Sequence, residues 1–239
     1  MANTASARIA DLKPGDGYVQ SFARGLEVIR SFSAKAPSQT LTEVAGRAGL
    51  SRAGARRILL TLEALGYVRS DGKLFSLSPR ILDLGFSYLS SMPIWNLAEP
   101  VMEALVAQVH ESSSAAVLDG TDIVYVLRVP TRKIMSISLG VGSRLPAYCT
   151  SMGRMLLSAL AQDDLMALLR ASDLAARTKT TLTDAKEIAA KVAQARRQGW
   201  SLVNQELEEG LISLAAPIVD RSGQMVAALN ISGQANRTS

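Results

Sequence analysis

Residues Ala45–Leu77 read AGRAGLSRAGARRILLTLEALGYVRSDGKLFSL. Gly49 closes one short helix, Leu50 leaves no room for a loop, and Ser51 opens a second helix that Gly66 stops. Two short helices joined by a turn with glycine in it form the helix-turn-helix pattern. On a 3.6-residue wheel, Ala55, Ile58, Leu59, Leu62 and Leu65 gather on one side of the second helix. Arg52, Ala53, Arg56, Arg57 and Leu60 lie on the other. Small residues at Ala53 and Gly54, with three arginines, suit a helix end that approaches DNA closely. The planar fork of arginine matches guanine O6/N7 or phosphate oxygens. For this helix alone, a solvated surface remains the alternative. Beyond Gly66, Tyr67–Ser70 and Lys73–Leu77 flank Asp71-Gly72, a strong hairpin signal. The whole outlines a winged helix-turn-helix. Ser51, Arg52, Ala53, Arg56 and Arg57 then meet the major groove, and Arg69 and Lys73 touch the backbone or the minor groove.

The charge distribution agrees. The chain has 239 residues and a net charge of +5. Residues 1–78 hold 11 of the 26 Lys and Arg and 6 of the 21 Asp and Glu, so the whole excess lies there and the remainder is neutral. That asymmetry is expected of a nucleic-acid-binding module joined to a neutral one. The single cysteine, Cys149, excludes an internal disulfide and points to a reducing cytoplasm. No apolar run reaches the roughly 18 residues of a membrane span, and the N-terminus lacks the apolar centre of a signal peptide. Residues 1–17 read as a flexible arm.

Upstream of the turn, Phe22, Leu26, Ile29 and Phe32 fall at helical spacing after a Ser21 cap, which predicts an amphipathic helix to about Ser33. A loop with Pro37 and Ser38 follows, then a helix capped by Thr40 with Glu43 completing a capping box. The DNA-binding domain therefore spans 18–78. Ser78-Pro79 opens a linker helix over 79–92, with a stripe of Ile81, Leu84, Gly85 and Tyr88 that can meet a second protomer or its own chain. Met92-Pro93 marks the boundary of a second domain, 93–239.

That domain opens with an apolar helix, Ile94–His110, which Pro100 kinks or splits in two. Strands are predicted at Ser113–Leu118, Ile123–Val129 and Ile134–Leu139, followed by a loop over Gly140–Pro146 and a helix from Ala147–Ser151 to about Leu160. A short helix starts at Asp163 and a longer one runs from Asp184 to Gln198. Closing strands lie near Ser201–Asn204, Ile212–Val219 and Gln224–Ser232. Hairpins with helices gathered at their ends imply an α+β antiparallel sheet.

Catalytic chemistry finds little to stand on. His110 is the only histidine and falls at a helix end, where a cap or surface role fits. Cys149 precedes a helix N-terminus, which could lower its pKa, but no base partner is visible and a pocket-wall or core thiol fits better. Gly140-x-Gly142 lacks the third glycine of a dinucleotide loop. Glu206, Glu208 and Glu209 have no metal-ligand spacing and read as a solvated edge. No metal or cofactor is expected. A binding site is easier to argue: Tyr148–Gly153 starts a helix after a glycine-rich loop, and its free N–H groups favour a carboxylate, with plain capping by Thr150 or Ser151 as the alternative.

Four segments together resemble a known family: GLSRAGARRILLTLEALGYV, LSPRILDLG, GSRLPAYCTSMGRMLLSAL and LEEGLISLAAPIVDRSGQMVAALNISG. From about Tyr18 to Gly233 the chain is similar to IclR-type bacterial transcriptional regulators. Within them it is most like the PcaR/PcaU/PobR-like branch of the β-ketoadipate pathway. Tyr148 and Arg154 stand where many relatives have histidine and lysine. The resemblance implies a winged helix-turn-helix, a linker helix and a GAF-like effector domain, dimers through the first and often tetramers through the last. It implies an effector pocket at Ile137, Leu145, Ser151, Met152, Leu211, Ser213, Asn230 and Ser232. A position acidic in some relatives falls on Val203. The expected protein is thus a cytoplasmic, ligand-responsive regulator of a catabolic operon, one for protocatechuate or related aromatic acids. Its partners are a near-palindromic double-stranded operator, a small organic acid and further copies of itself. A glyoxylate or sugar-acid regulator and an enzyme using the C-terminal pocket are the alternatives.

Overall fold

The computed structural model of the chain describes residues 17–91, 94–131 and 139–236. The N-terminal arm up to residue 16, the Met92-Pro93 boundary and Ile134–Ser138 of the third strand expected in the second domain lie outside the described residues. Two compact units, 1–90 and 91–239, make up the fold.

In the first unit α1 (Gln20–Arg30) is followed by β1 (Ser38–Thr40), α2 (Leu41–Arg47), α3 (Arg52–Ala64), β2 (Val68–Ser70) and β3 (Leu74–Leu77). Thr40 caps α2 with the reciprocal box: its hydroxyl accepts from Glu43 N and the Glu43 carboxylate accepts from Thr40 N. Those bonds hold the Glu43 pKa below its usual value, the backbone contact contributing most. Gly49 turns the chain at φ +63°, a conformation that strains other residues, and Leu50 N closes the turn on Ala45 O. Ser51 caps α3 through Gly54 N.

Val28, Phe32, Val44, Leu59, Leu62 and Val68 form this unit's core, each apolar side chain contributing about 1.5–3 kcal/mol by its burial. Three expectations change. Phe22 is 68% exposed and Leu26 also faces outward, because the side of α1 that meets the core is the one carrying Val28, turned away from that part of the predicted stripe. Leu65 is 53% exposed because α3 ends at Ala64 and Leu65 is its C-cap. Residues 38–40, expected as loop, pair antiparallel with β3, Ser38 opposite Ser76 and Thr40 opposite Leu74. Three residues are too few to show a strand period. The wing sheet has the order β1-β3-β2. At its tip Asp71 accepts from Lys73 N and Leu74 N. A single turn over Pro79–Ile81 and α4 (Leu82–Ser90) follow. Arg80 ties that turn back, donating to Leu65 O and lying 5.5 Å from the Tyr67 ring.

The second unit begins with α5 (Ile94–Val109), one continuous helix with Pro100 inside rather than two pieces. Proline there removes one backbone donor without breaking the rod. His110 follows with φ +56°, exposed, as a helix-end residue. Then come β4 (Ser112–Asp119), β5 (Asp122–Val129), β6 (Arg144–Pro146), α6 (Ser151–Leu157), α7 (Gln162–Ala171), α8 (Ala185–Gln198), β7 (Ser201–Asn204), β8 (Leu211–Val219) and β9 (Met225–Gln234). The strands form one antiparallel sheet, β6-β5-β4-β9-β8-β7. Strand β6 lies in a stretch expected as loop. It pairs Arg144 with Val124, and the Arg144 guanidinium bridges Asp119 and Asp122. One face of the sheet packs on α6, α7 and α8 through Ile123, Tyr148, Met152, Leu157, Leu165 and Ile188. Helix α5 packs on β4 and β5, burying Trp95 and Met102. Among the described residues no helix is long and apolar enough to cross a membrane, and no group of three or more His, Cys, Asp or Glu could hold a metal ion.

Candidate functional site

The first site is the outer face of α3 with the wing. Arg52, Ala53, Arg56 and Arg57 are exposed on the helix, Ser51 is its cap, and Arg69 and Lys73 are exposed on the wing. Arg52, Arg56 and Lys73 line one open groove with Ser70, Thr40 and Thr42; Arg57 and Arg69 lie outside it. Among the described residues none of these five cations forms an ion pair, which leaves their charge available to phosphates. Thr42 adds a hydroxyl that the charge pattern of the sequence did not signal, whereas the Thr40 hydroxyl is spent on Glu43.

The second site is a cavity, open at its mouth, between the start of α6 and the sheet. Six of the eight residues expected there line it: Ser151, Met152, Leu211, Ser213, Asn230 and Ser232. Leu145 does not. It sits in β6 opposite Ile123 and packs against the core of the unit. Ile137 lies outside the described residues. Val203 lines the cavity, buried and apolar, so no acidic group stands at that position. Cys149 and Thr150, from the Tyr148–Gly153 stretch read as a binding site, also line it; Tyr125, Arg128, Leu139 and Leu207 complete the lining and were not singled out in the sequence.

Cross-strand register explains the grouping. Val203, Ser213, Ser232 and Ser112 stand opposite one another across β7, β8, β9 and β4. The next row on the same face runs Ala215, Asn230, Ser114, Arg128. Helix α6 approaches this patch because Gly153 allows it: a Cβ there would overlap the Ala147 carbonyl oxygen and Thr150 Oγ1. Thr150 caps the helix through Gly153 N, and Ser151 is left to face Ser213.

The hydrogens of the polar cluster are fixed by its geometry. Asn230 Oδ1 accepts from Ser114 N at 3.1 Å, so its amide nitrogen points the other way and donates to Ser213 Oγ at 2.9 Å and Ser232 Oγ at 2.8 Å. Ser232 Oγ donates in turn to Ser213 Oγ at 3.1 Å. With both lone pairs filled, Ser213 gives its proton to Ser151 Oγ at 2.6 Å. The one proton left without an internal acceptor is that of Ser151, and the cluster therefore offers a donor to the cavity.

Cys149 is fully buried, and burial pushes its thiol up to about 11. The lowering that a helix N-terminus could give does not win, and the thiol is an inert wall. Tyr125 is likewise pushed up to about 12 by burial, against a smaller opposing effect of Arg128. Glu206, expected on a solvated edge, is buried. Its carboxylate meets the Arg154 guanidinium through two 2.6 Å bonds, Nη1 to Oε1 and Nη2 to Oε2. Arg154 Nε also donates to Tyr148 O, and Leu182 N donates to Glu206 Oε2. The pair ties α6 to the segment that carries Leu207 into the cavity wall. Among the described lining residues no nucleophile has an adjacent base.

Residues 21–72 match the family model of the IclR helix-turn-helix domain, and residues 86–239 that of the bacterial transcriptional regulator IclR C-terminal domain. The chain is 46% identical to the Pca regulon regulatory protein of Pseudomonas putida, over 92% of this chain and 76% of that protein. A crystal structure of a Rhodococcus sp. RHA1 protein is similar at TM-score 0.82 and 51% identity, covering 93% of this chain and 89% of that one. The double mutant of the PobR transcription factor inducer-binding domain from Acinetobacter, in complex with 3-hydroxybenzoic acid, is similar at TM-score 0.57 and 30% identity. That match covers 61% of this chain and 85% of the PobR chain.

Proposed function

This chain belongs to the IclR family of bacterial transcriptional regulators, and from that membership we propose that its cavity takes a small aromatic acid, such as 3,4-dihydroxybenzoate, and thereby controls operator binding. It is a DNA-binding, ligand-responsive regulator and not an enzyme. Arg52, Arg56 and Arg57, on a helix opened by Ser51 and Ala53, read the major groove, while Arg69 and Lys73 hold the phosphate backbone. Exposed Phe22, Leu82, Leu84 and Phe86 supply an apolar surface for a homodimer, and residues 79–92 link the DNA-binding and effector domains. The dimer sets the half-site spacing of a near-palindromic operator, and pairs of dimers form tetramers. The cytoplasm is its compartment.

One observation carries an oxygen-bearing ligand in the cavity: the uncommitted proton on Ser151, presented by a cluster that has no further acceptor to offer it. The names of the similar Pca and PobR regulators supply the aromatic class. A thermal-shift screen of aromatic and dicarboxylic acids on the full chain, followed by product analysis, tests the reading. Stabilisation by an aromatic acid that is recovered unchanged is the expected result. Stabilisation only by non-aromatic acids, or conversion of the ligand, overturns it.

A further inference from the structure

We propose that Arg128 anchors the effector's carboxylate, turned into the cavity by a one-residue bulge in β5, while Ser151 reads an oxygen at the other end of the same molecule. This rests on the aromatic-acid reading above and specifies how that ligand is held.

The bulge is visible in the strand register. Ala116 stands opposite Tyr125 and Ala115 opposite Leu127, so Val126 is the extra residue. Strict alternation from Ile123 and Tyr125 would leave Arg128 on the opposite face of the sheet. The extra residue reverses the parity, and Arg128 joins Tyr125 in the lining of one cavity. Regular alternation in β4 confirms it: Leu118, Ala116 and Ser114 face Ile123, Tyr125 and Arg128 in turn.

Arg128 is the one charged side chain among the described lining residues. Among the described residues it forms no ion pair, and its Nη1 donates to Ser114 Oγ over a long 3.4 Å. A half-buried guanidinium with most of its five donors unspent among the described residues, in a cavity whose described lining holds no acid, fits an anion supplied by the ligand. Val203, where an acidic side chain would compete with that anion, is apolar. The one cation among the described lining residues matches one carboxylate. Arg128 and Asn230 lie two strands apart in the same row, roughly 10 Å between Cα positions. The Tyr125 hydroxyl, kept protonated by burial, stands beside Arg128 as a further donor.

Titration calorimetry on the full chain tests this with 3,4-dihydroxybenzoate and its neutral amide, on wild type, Arg128→Gln and Arg128→Lys. The wild type should prefer the acid by about 10- to 100-fold, the worth of a charge-assisted bond. Arg128→Gln should lose that preference with amide affinity unchanged, which also shows that the variant is folded. Arg128→Lys should keep part of it, and this variant decides the matter if the glutamine variant does not fold. Acid preference that survives Arg128→Gln, or Arg128→Lys indistinguishable from wild type, overturns the anchor while leaving the aromatic reading intact. A wild type that binds neither probe overturns both.

Discussion

Glu206→Gln isolates the buried ion pair between α6 and the segment that leads into β8. In the wild type, both Arg154 terminal nitrogens are matched by carboxylate oxygens at 2.6 Å, and the arginine side chain is only 2% exposed. Glutamine is nearly isosteric but neutral, and its amide nitrogen sets a donor against a guanidinium donor. Breaking one member of a buried pair leaves an uncompensated charge and costs about 3–5 kcal/mol. For a chain of this size each kcal/mol lowers the melting midpoint by about 2–4 °C, so a drop of roughly 6–20 °C is expected. Leu207 follows Glu206 directly and lines the cavity, so affinity for 3,4-dihydroxybenzoate should fall as well. The assay is a thermal melt with and without the acid, on Glu206→Gln and on the paired variant Arg154→Met with Glu206→Leu. The paired variant should recover most of the loss, because neither charge is then stranded. A midpoint within about 2 °C of wild type for Glu206→Gln alone would refute the reasoning, since that corresponds to less than 1 kcal/mol.

Other outcomes follow from the same geometry. Arg56→Ala should weaken specific operator binding by about 1–3 kcal/mol, whereas Lys73→Ala should weaken binding to all sequences alike and reduce the salt slope by about one; fluorescence anisotropy over a salt series separates them. Gly153→Ala should melt well below wild type and lose acid binding, because the new methyl overlaps Ala147 O and pushes α6 off the sheet; a melt and a ligand titration check it. Cys149 should resist iodoacetamide at pH 8 in the folded chain, its thiol being pushed up to about 11 by burial. With the folded pKa above the ordinary value of 9.0, its contribution to stability is complete below pH 9 and lost as pH rises toward 11, which urea titrations across that range should reveal.

The DNA-binding unit was largely legible because its signals are local. The Thr40–Glu43 box, the Gly49 turn, the Ser51 cap and the Asp71-Gly72 hairpin are each set by residues within a few positions of one another. What was misread depends on distant partners. The strand at 38–40 exists because β3 comes to meet it, and Phe22 stays exposed because its side of α1 meets no core. The cavity shows the same division. Ser151, Ser213, Asn230 and Ser232 are reached through the family resemblance, and only Ser151 also through its place at a helix start. Arg128 is not reached, because period-two alternation assigns it to the wrong face and no glycine marks the bulge at Val126. Glu206 reads as part of an acidic run, and only the fold brings Arg154, 52 residues earlier, against it.

The central claim is that the acid and the operator compete for, or select, arrangements of one protein. The direct measurement is the operator dissociation constant, on a fragment from upstream of the chain's own gene, with and without saturating 3,4-dihydroxybenzoate at fixed salt. A coupling of about 1–3 kcal/mol, a change of roughly 5- to 150-fold, is predicted, with the same factor appearing in the acid's affinity when DNA is titrated first. An operator affinity that does not move while the acid is shown to be bound would contradict the account.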